Sequence, residues 1–160
     1  SPRVALLVGG PVRAEGMNPA EATALGVRVA SFAGSVLATA SRRTGAPATE
    51  ALAAALNPVP HRLHRWGGEE PNPLLGFMAW ADCIVATGDS VSMLSESLIT
   101  PVPIFIAAGA EGRRHRALHQ SLYAAGQARP LDQAPTPFAR APLDETARIA
   151  AAIRARGLIA

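Results

Sequence analysis

The sequence predicts an α/β domain with a Rossmann-like parallel sheet of about five strands and flanking helices. Two observations predict it. Short apolar runs alternate with segments of helical spacing along all 160 residues, the pattern of a parallel sheet with right-handed crossovers. The runs also end in turn-forming clusters: Gly9-Gly10, Ser41 to Thr44, Gly67-Gly68 and Thr87 to Ser90. A chain of this length with 49% hydrophobic residues can bury one full core, so residues 1–160 read as a single domain.

The elements follow in order. Arg3 to Val8 is an apolar strand stopped by Gly9-Gly10. Pro19 to Ala33 has helical spacing, with Asn18 as N-cap and Pro19 in the first turn. Ser35 to Ala40 is the second strand, and Ser41-Arg42-Arg43-Thr44 follows it. Pro47 to Leu56 is a helix stopped by Asn57-Pro58. His61 to Trp66 is a third strand of alternating character, and Pro73 to Trp80 a short helix. Cys83 to Thr87 is a buried strand, and Ser90 to Ile99 an amphipathic helix with apolar Val91, Met93, Leu94 and Leu98. Val102 to Ala107 is the fifth strand, and Glu111 to Ala125 a long arginine-rich helix. A proline-rich loop from Ala128 to Pro142 returns a last helix, Glu145 to Arg156, to the sheet, with Asp144 as its cap. The expected strand order is 3-2-1-4-5. It puts the switch point between the first and fourth strands, where ligands bind in open α/β sheets.

Composition excludes several classes. No apolar run approaches the length that spans a membrane. The chain begins at Ser1 with no basic, apolar signal segment, and an excised domain of a longer protein is expected. Cys83 is the single cysteine, so internal disulfides are excluded and a reducing cytoplasm is expected, with the thiol buried in a strand. The net charge of +3 comes from arginine alone, since the chain has no lysine. The arginines are scattered and aromatics make up 4%, so nucleic-acid binding is not supported. A basic face near anionic lipid or substrate phosphates fits better.

The most informative stretch runs from Ala81 to Glu96. Its strand–turn–helix junction, Thr87-Gly88-Asp89-Ser90, supplies N-caps and amides that favour an anion. Gly9-Gly10 lets backbone approach a phosphate, or is only a turn. Gly9-Gly10-Pro11 is no GxGxxG fingerprint, so a dinucleotide site is rejected. Arg42 and Arg43, between Ser41 and Thr44, can hold a diphosphate by bidentate charge-assisted bonds, or stand solvated in a loop. Ser90 and Ser92 offer hydroxyls at the helix start, and Glu96 follows a turn later. Asp89 is an alternative cap or a partner for Arg42 or Arg43.

The histidines form no metal site. His61 and His64 are three apart in a strand. His115 and His119 are four apart in a helix, but arginines at 113, 114 and 116 would repel a cation, so a solvated basic face is expected. No Ser-His-Asp or Cys-His arrangement is supported. Trp66 with Gly67-Gly68 is expected to pack under its loop, with a stacking wall for a base as the alternative.

The stretch Asp82-x-Ile84-Val85-x-Thr87-x-Asp89-Ser90-Val91-Ser92-Met93-x-Ser95-Glu96 resembles the signature of the mitochondrial-fission "elongated mitochondria" proteins and their bacterial relatives. Arg3 to Gly10, Ser41 to Thr44, Asn72-Pro73 with Ala81-Asp82, and Arg113 to Pro130 agree in order and spacing. The match is to the carboxyl half of that family, which in turn resembles two-domain B-type glycosyltransferases. The resemblance implies the nucleotide-binding half of such a protein. It would hold a nucleotide-diphosphate sugar, with acceptor and catalytic base on the missing amino-terminal domain. It also implies contacts from Gly9, Gly10, Ser41, Arg42, Arg43, Thr44, Thr87, Gly88, Asp89, Ser90 and Ser92, with Glu96 on the ribose diol. In the B-type enzymes a small hydroxyl residue precedes that glutamate by three, whereas Ser92 precedes Glu96 by four. The chain also departs from the family at Thr100-Pro101-Val102-Pro103, where a Gly-Lys pair is lost, and at Leu74, where tyrosine is frequent. No cofactor is implied. The alternative is a non-enzymatic adaptor of the fission family that keeps the fold without turnover.

Overall fold

The computed structural model describes residues 1–11, 16–107, 109, 112–132 and 135–158. They form β1 (Arg3–Val8), α1 (Pro19–Ala30), β2 (Ser35–Ala40), α2 (Ala46–Leu56), β3 (His61–His64), α3 (Leu74–Trp80), β4 (Cys83–Thr87), α4 (Val91–Ser97), β5 (Ile104–Ala107), α5 (Arg113–Ala124), β6 (Arg129–Pro130) and α6 (Glu145–Ala155). The strands make one parallel sheet in the order β3-β2-β1-β4-β5-β6. The reversal falls between β1 and β4, as the sequence predicts.

The central strands are apolar on both faces because both faces are covered. Val4, Leu6 and Val8 point into one cluster with Val29 of α1 and Leu52 and Leu56 of α2. Ala5 and Leu7 point into the other, with Met78 of α3, Leu94 of α4 and Leu122 of α5. Asn18 caps α1 as expected, its Oδ1 accepting from Ala20 N–H at 2.8 Å. Asp144 caps α6, accepting from Ala147 N–H at 2.9 Å.

Two expectations for the carboxyl end are corrected. Arg129–Pro130 is a sixth, two-residue strand pairing with Phe105 and Ile106, where the sequence suggests only loop. A pair this short has no periodicity to read. The following segment covers the sheet: Leu131 is buried, and Phe138 meets Phe105 edge-on at 5.8 Å between ring centroids. The last helix therefore does not return to the sheet, and α6 has no buried residue.

Arg140 fixes that segment. Its guanidinium donates to the carbonyls of Ser97, Leu98, Thr100 and Val102 and to Gln127 Oε1, tying the end of α4 to the return segment. Leu143 N–H adds a bond to Leu98 O at 2.8 Å. Burial pulls the Arg140 guanidinium below its ordinary value. Among the described residues no helix is long and apolar enough to cross a membrane.

Candidate functional site

The loops after β1, β2 and β4 meet at the carboxyl edge of the sheet, and their side chains lock them together. Gly9 N–H donates to Thr87 Oγ1 at 2.8 Å, and the Thr87 hydroxyl donates to Asp89 Oδ1 at 2.7 Å. On the other side, the buried Thr44 hydroxyl lies 2.6 Å from the Gly9 carbonyl and 2.9 Å from that of Val8. Its oxygen accepts Ser41 N–H at 2.9 Å. Ser41 Oγ is 3.2 Å from it. These hydroxyls hold the loops.

Glycine is required at both positions by close approach. A Cβ on Gly10 would stand 2.8 Å from Thr44 N and closer still to the Arg43 carbonyl. One on Gly9 would stand 3.0 Å from Ser90 Cβ, 3.1 Å from Thr87 Oγ1 and closer still to Asp89 Oδ1. The expectation that Asp89 caps a helix or holds Arg42 or Arg43 is thus corrected: the Thr87 hydroxyl is its partner. Arg42 is exposed and Arg43 half-buried, and among the described residues neither pairs with a carboxylate. Ser90 is the buried N-cap of α4 but makes no side-chain capping bond, while Ser92 and Glu96 are exposed on that helix.

A cavity of about 350 Å³ opens beside these loops. One wall is α1, through Glu21, Ala24, Leu25 and Arg28; the other is Thr87, Gly88 and Asp89, with Ala107 at the end of β5 and Gly109 after it. Pro11 and Met17 line it too. It gathers Thr87, Gly88 and Asp89 of the expected site. Arg42, Arg43, Ser92 and Glu96 do not line it. The β2–α2 loop adjoins it, since Gly10 abuts Arg43 and the next residue, Pro11, is in the lining.

Sequence reasoning overlooks the α1 wall, although residues 21, 24, 25 and 28 share one helical face directly after the Gly-Gly loop. It also misplaces His119. That ring is 4% exposed, with Nε2 2.8 Å from the Gly88 carbonyl, so α5 is seated beneath the β4–α4 turn. The arginines of the first turn mask an inward stripe of Leu118, His119 and Leu122. Trp66 is 62% exposed rather than packed under its loop. Cys83 is buried as expected, and burial pushes its thiol up to about 11.

The model of the family "Mitochondrial fission ELM1" matches residues 1–157. "Mitochondrial fission protein ELM1" of Arabidopsis thaliana is 38% identical over 80 residues, which are 50% of this chain and 18% of that protein. The alignment thus spans under a fifth of the relative's length. No solved structure matches the chain. The chain belongs to the mitochondrial fission ELM1 family.

Proposed function

Starting from that membership, we propose that the chain is the nucleotide-diphosphate-sugar binding domain of a glycosyltransferase-like protein. One observation supports this reading above all. Three loops converge where the strand order reverses, beside a cavity of nucleoside size, and the adjoining loop carries two arginines with no carboxylate partner among the described residues. The arginines would take the diphosphate and stabilise it as a leaving group, because planar guanidinium matches phosphate oxygens in pairs. The helix α4 has only seven residues, so its dipole adds little beside those charges. Glu96 is exposed and open to a ribose diol. Acceptor and catalytic base would come from outside these residues, and the chain alone would be catalytically silent.

The second reading is an adaptor. The observation favouring it is the exposed pair Leu75 and Trp80 on α3, 65% and 67% accessible, outside the cavity. Calorimetric titration with nucleoside diphosphates and nucleotide-sugars separates the two. A donor domain binds at least one, loses roughly tenfold affinity in Arg43→Lys, which keeps charge but removes the fork, and weakens in Glu96→Gln without loss of fold. Absence of binding to every nucleotide leaves the adaptor.

A further inference from the structure

Asp89 is the best-prepared polar group in the cavity wall. The relay from Gly9 N–H through the Thr87 hydroxyl fixes its Oδ1, and the missing Cβ of Gly9 makes room for that oxygen. Among the described residues its Oδ2 accepts no hydrogen bond and its charge meets no cation. Glu21, on the opposite wall, also lacks an ion pair there. Met17, Leu25 and Ala107 give the lining apolar surface. Arg28 stands seven residues along α1 from Glu21, about 10 Å away at the other end. The arginines of the β2–α2 loop, which meet no carboxylate among the described residues, lie outside the lining.

Among the described residues, a ligand seated at the Asp89 end of the cavity therefore meets carboxylate acceptors, with the Arg28 guanidinium further along the α1 lining and Arg42 and Arg43 outside it. Resting on the nucleotide-binding reading, we propose that the cavity selects a guanine nucleotide, with Asp89 as the base-reading residue. Guanine presents N1–H and its exocyclic N2–H side by side, two donors matched to one carboxylate. Oδ1 can serve one of them because a carboxylate oxygen keeps a second lone pair after accepting from Thr87. Adenine and cytosine offer an amine beside an unprotonated ring nitrogen, which a carboxylate repels. Uracil offers one N–H between two carbonyl oxygens and fits worst. The flat faces of the base lie against the apolar side chains of Met17, Leu25 and Ala107.

The test is titration of the protein with GDP, IDP, ADP, CDP and UDP at neutral pH. GDP is expected to bind at least tenfold tighter than UDP, with ADP and CDP between. IDP, which keeps N1–H and lacks the exocyclic amine, is expected to lose severalfold. In Asp89→Asn the retained Oδ1 still accepts from Thr87, so the melting temperature holds. The new Nδ2 turns an acceptor into a donor, so GDP weakens roughly tenfold while UDP improves. UDP binding as tightly as GDP in the wild type would overturn the guanine assignment and leave the nucleotide reading intact. An equal loss of all five nucleotides in Asp89→Asn would also overturn it, reducing Asp89 to a loop brace. Binding of none of them would bring down the nucleotide reading itself.

Discussion

Replacing Gly10 by alanine is the sharpest probe of how the site is built. The added Cβ would stand 2.8 Å from Thr44 N and closer still to the carbonyl of Arg43. Comfortable contacts of this kind lie nearer ~3.5 Å. Both groups are backbone, so neither can swing aside as a side chain would. The Thr44 end is further pinned, because its hydroxyl bonds the carbonyls of Val8 and Gly9. One loop must move whole, at the upper end of overpacking costs, about 3 kcal/mol. For a 160-residue chain that corresponds to a melting temperature lower by roughly 6–12 °C. Gly76→Ala is the control. It lies in α3 with nothing within 4 Å of its added Cβ, so it should stabilise by about 0.5–1 kcal/mol through helix propensity. Thermal unfolding by circular dichroism reads both. A Gly10→Ala protein melting within about a degree of wild type would show that the loops are not interlocked as described.

Arg140→Ala should cost about 3 kcal/mol in urea unfolding, because the carbonyls of Ser97, Thr100 and Val102 lose their donor; Arg140→Lys should recover little, since one ammonium cannot span them. A lysine variant as stable as wild type contradicts this. Hydrogen bonding to Arg3 holds the Asp82 carboxyl down at about 2, so its stabilisation is present above the ordinary carboxylate range and lost as pH falls through about 2. Both partners are half-exposed, so the effect is small, but Arg3→Gln should flatten the drop in urea midpoint between pH 4 and 2. An unchanged slope argues against the pair. Burial keeps the Cys83 thiol protonated at pH 8, so a disulfide reagent should label it far more slowly in the native protein than in urea; equal rates would refute its burial.

The sequence by itself determined the alternation of strands and helices, the strand order with its reversal between β1 and β4, the caps Asn18 and Asp144 and the burial of Cys83. Each is a local property: apolar period, turn chemistry or capping residue, read within a few positions of itself. Only the tertiary structure decided what the loops do. Thr87, read in sequence only as a candidate contact, is the brace between Gly9 and Asp89, 78 residues from the amide it receives. His119 does not belong to a solvated basic face but is the buried seat of the β4–α4 turn. The cavity owes one of its walls to α1, whose outward residues look like any solvated helix face in one dimension. A two-residue β6 and the unpacked α6 escape for the same reason. The partner of a polar side chain, and whether a helical face is covered, depend on segments that topology brings together, and no spacing along the chain encodes that meeting.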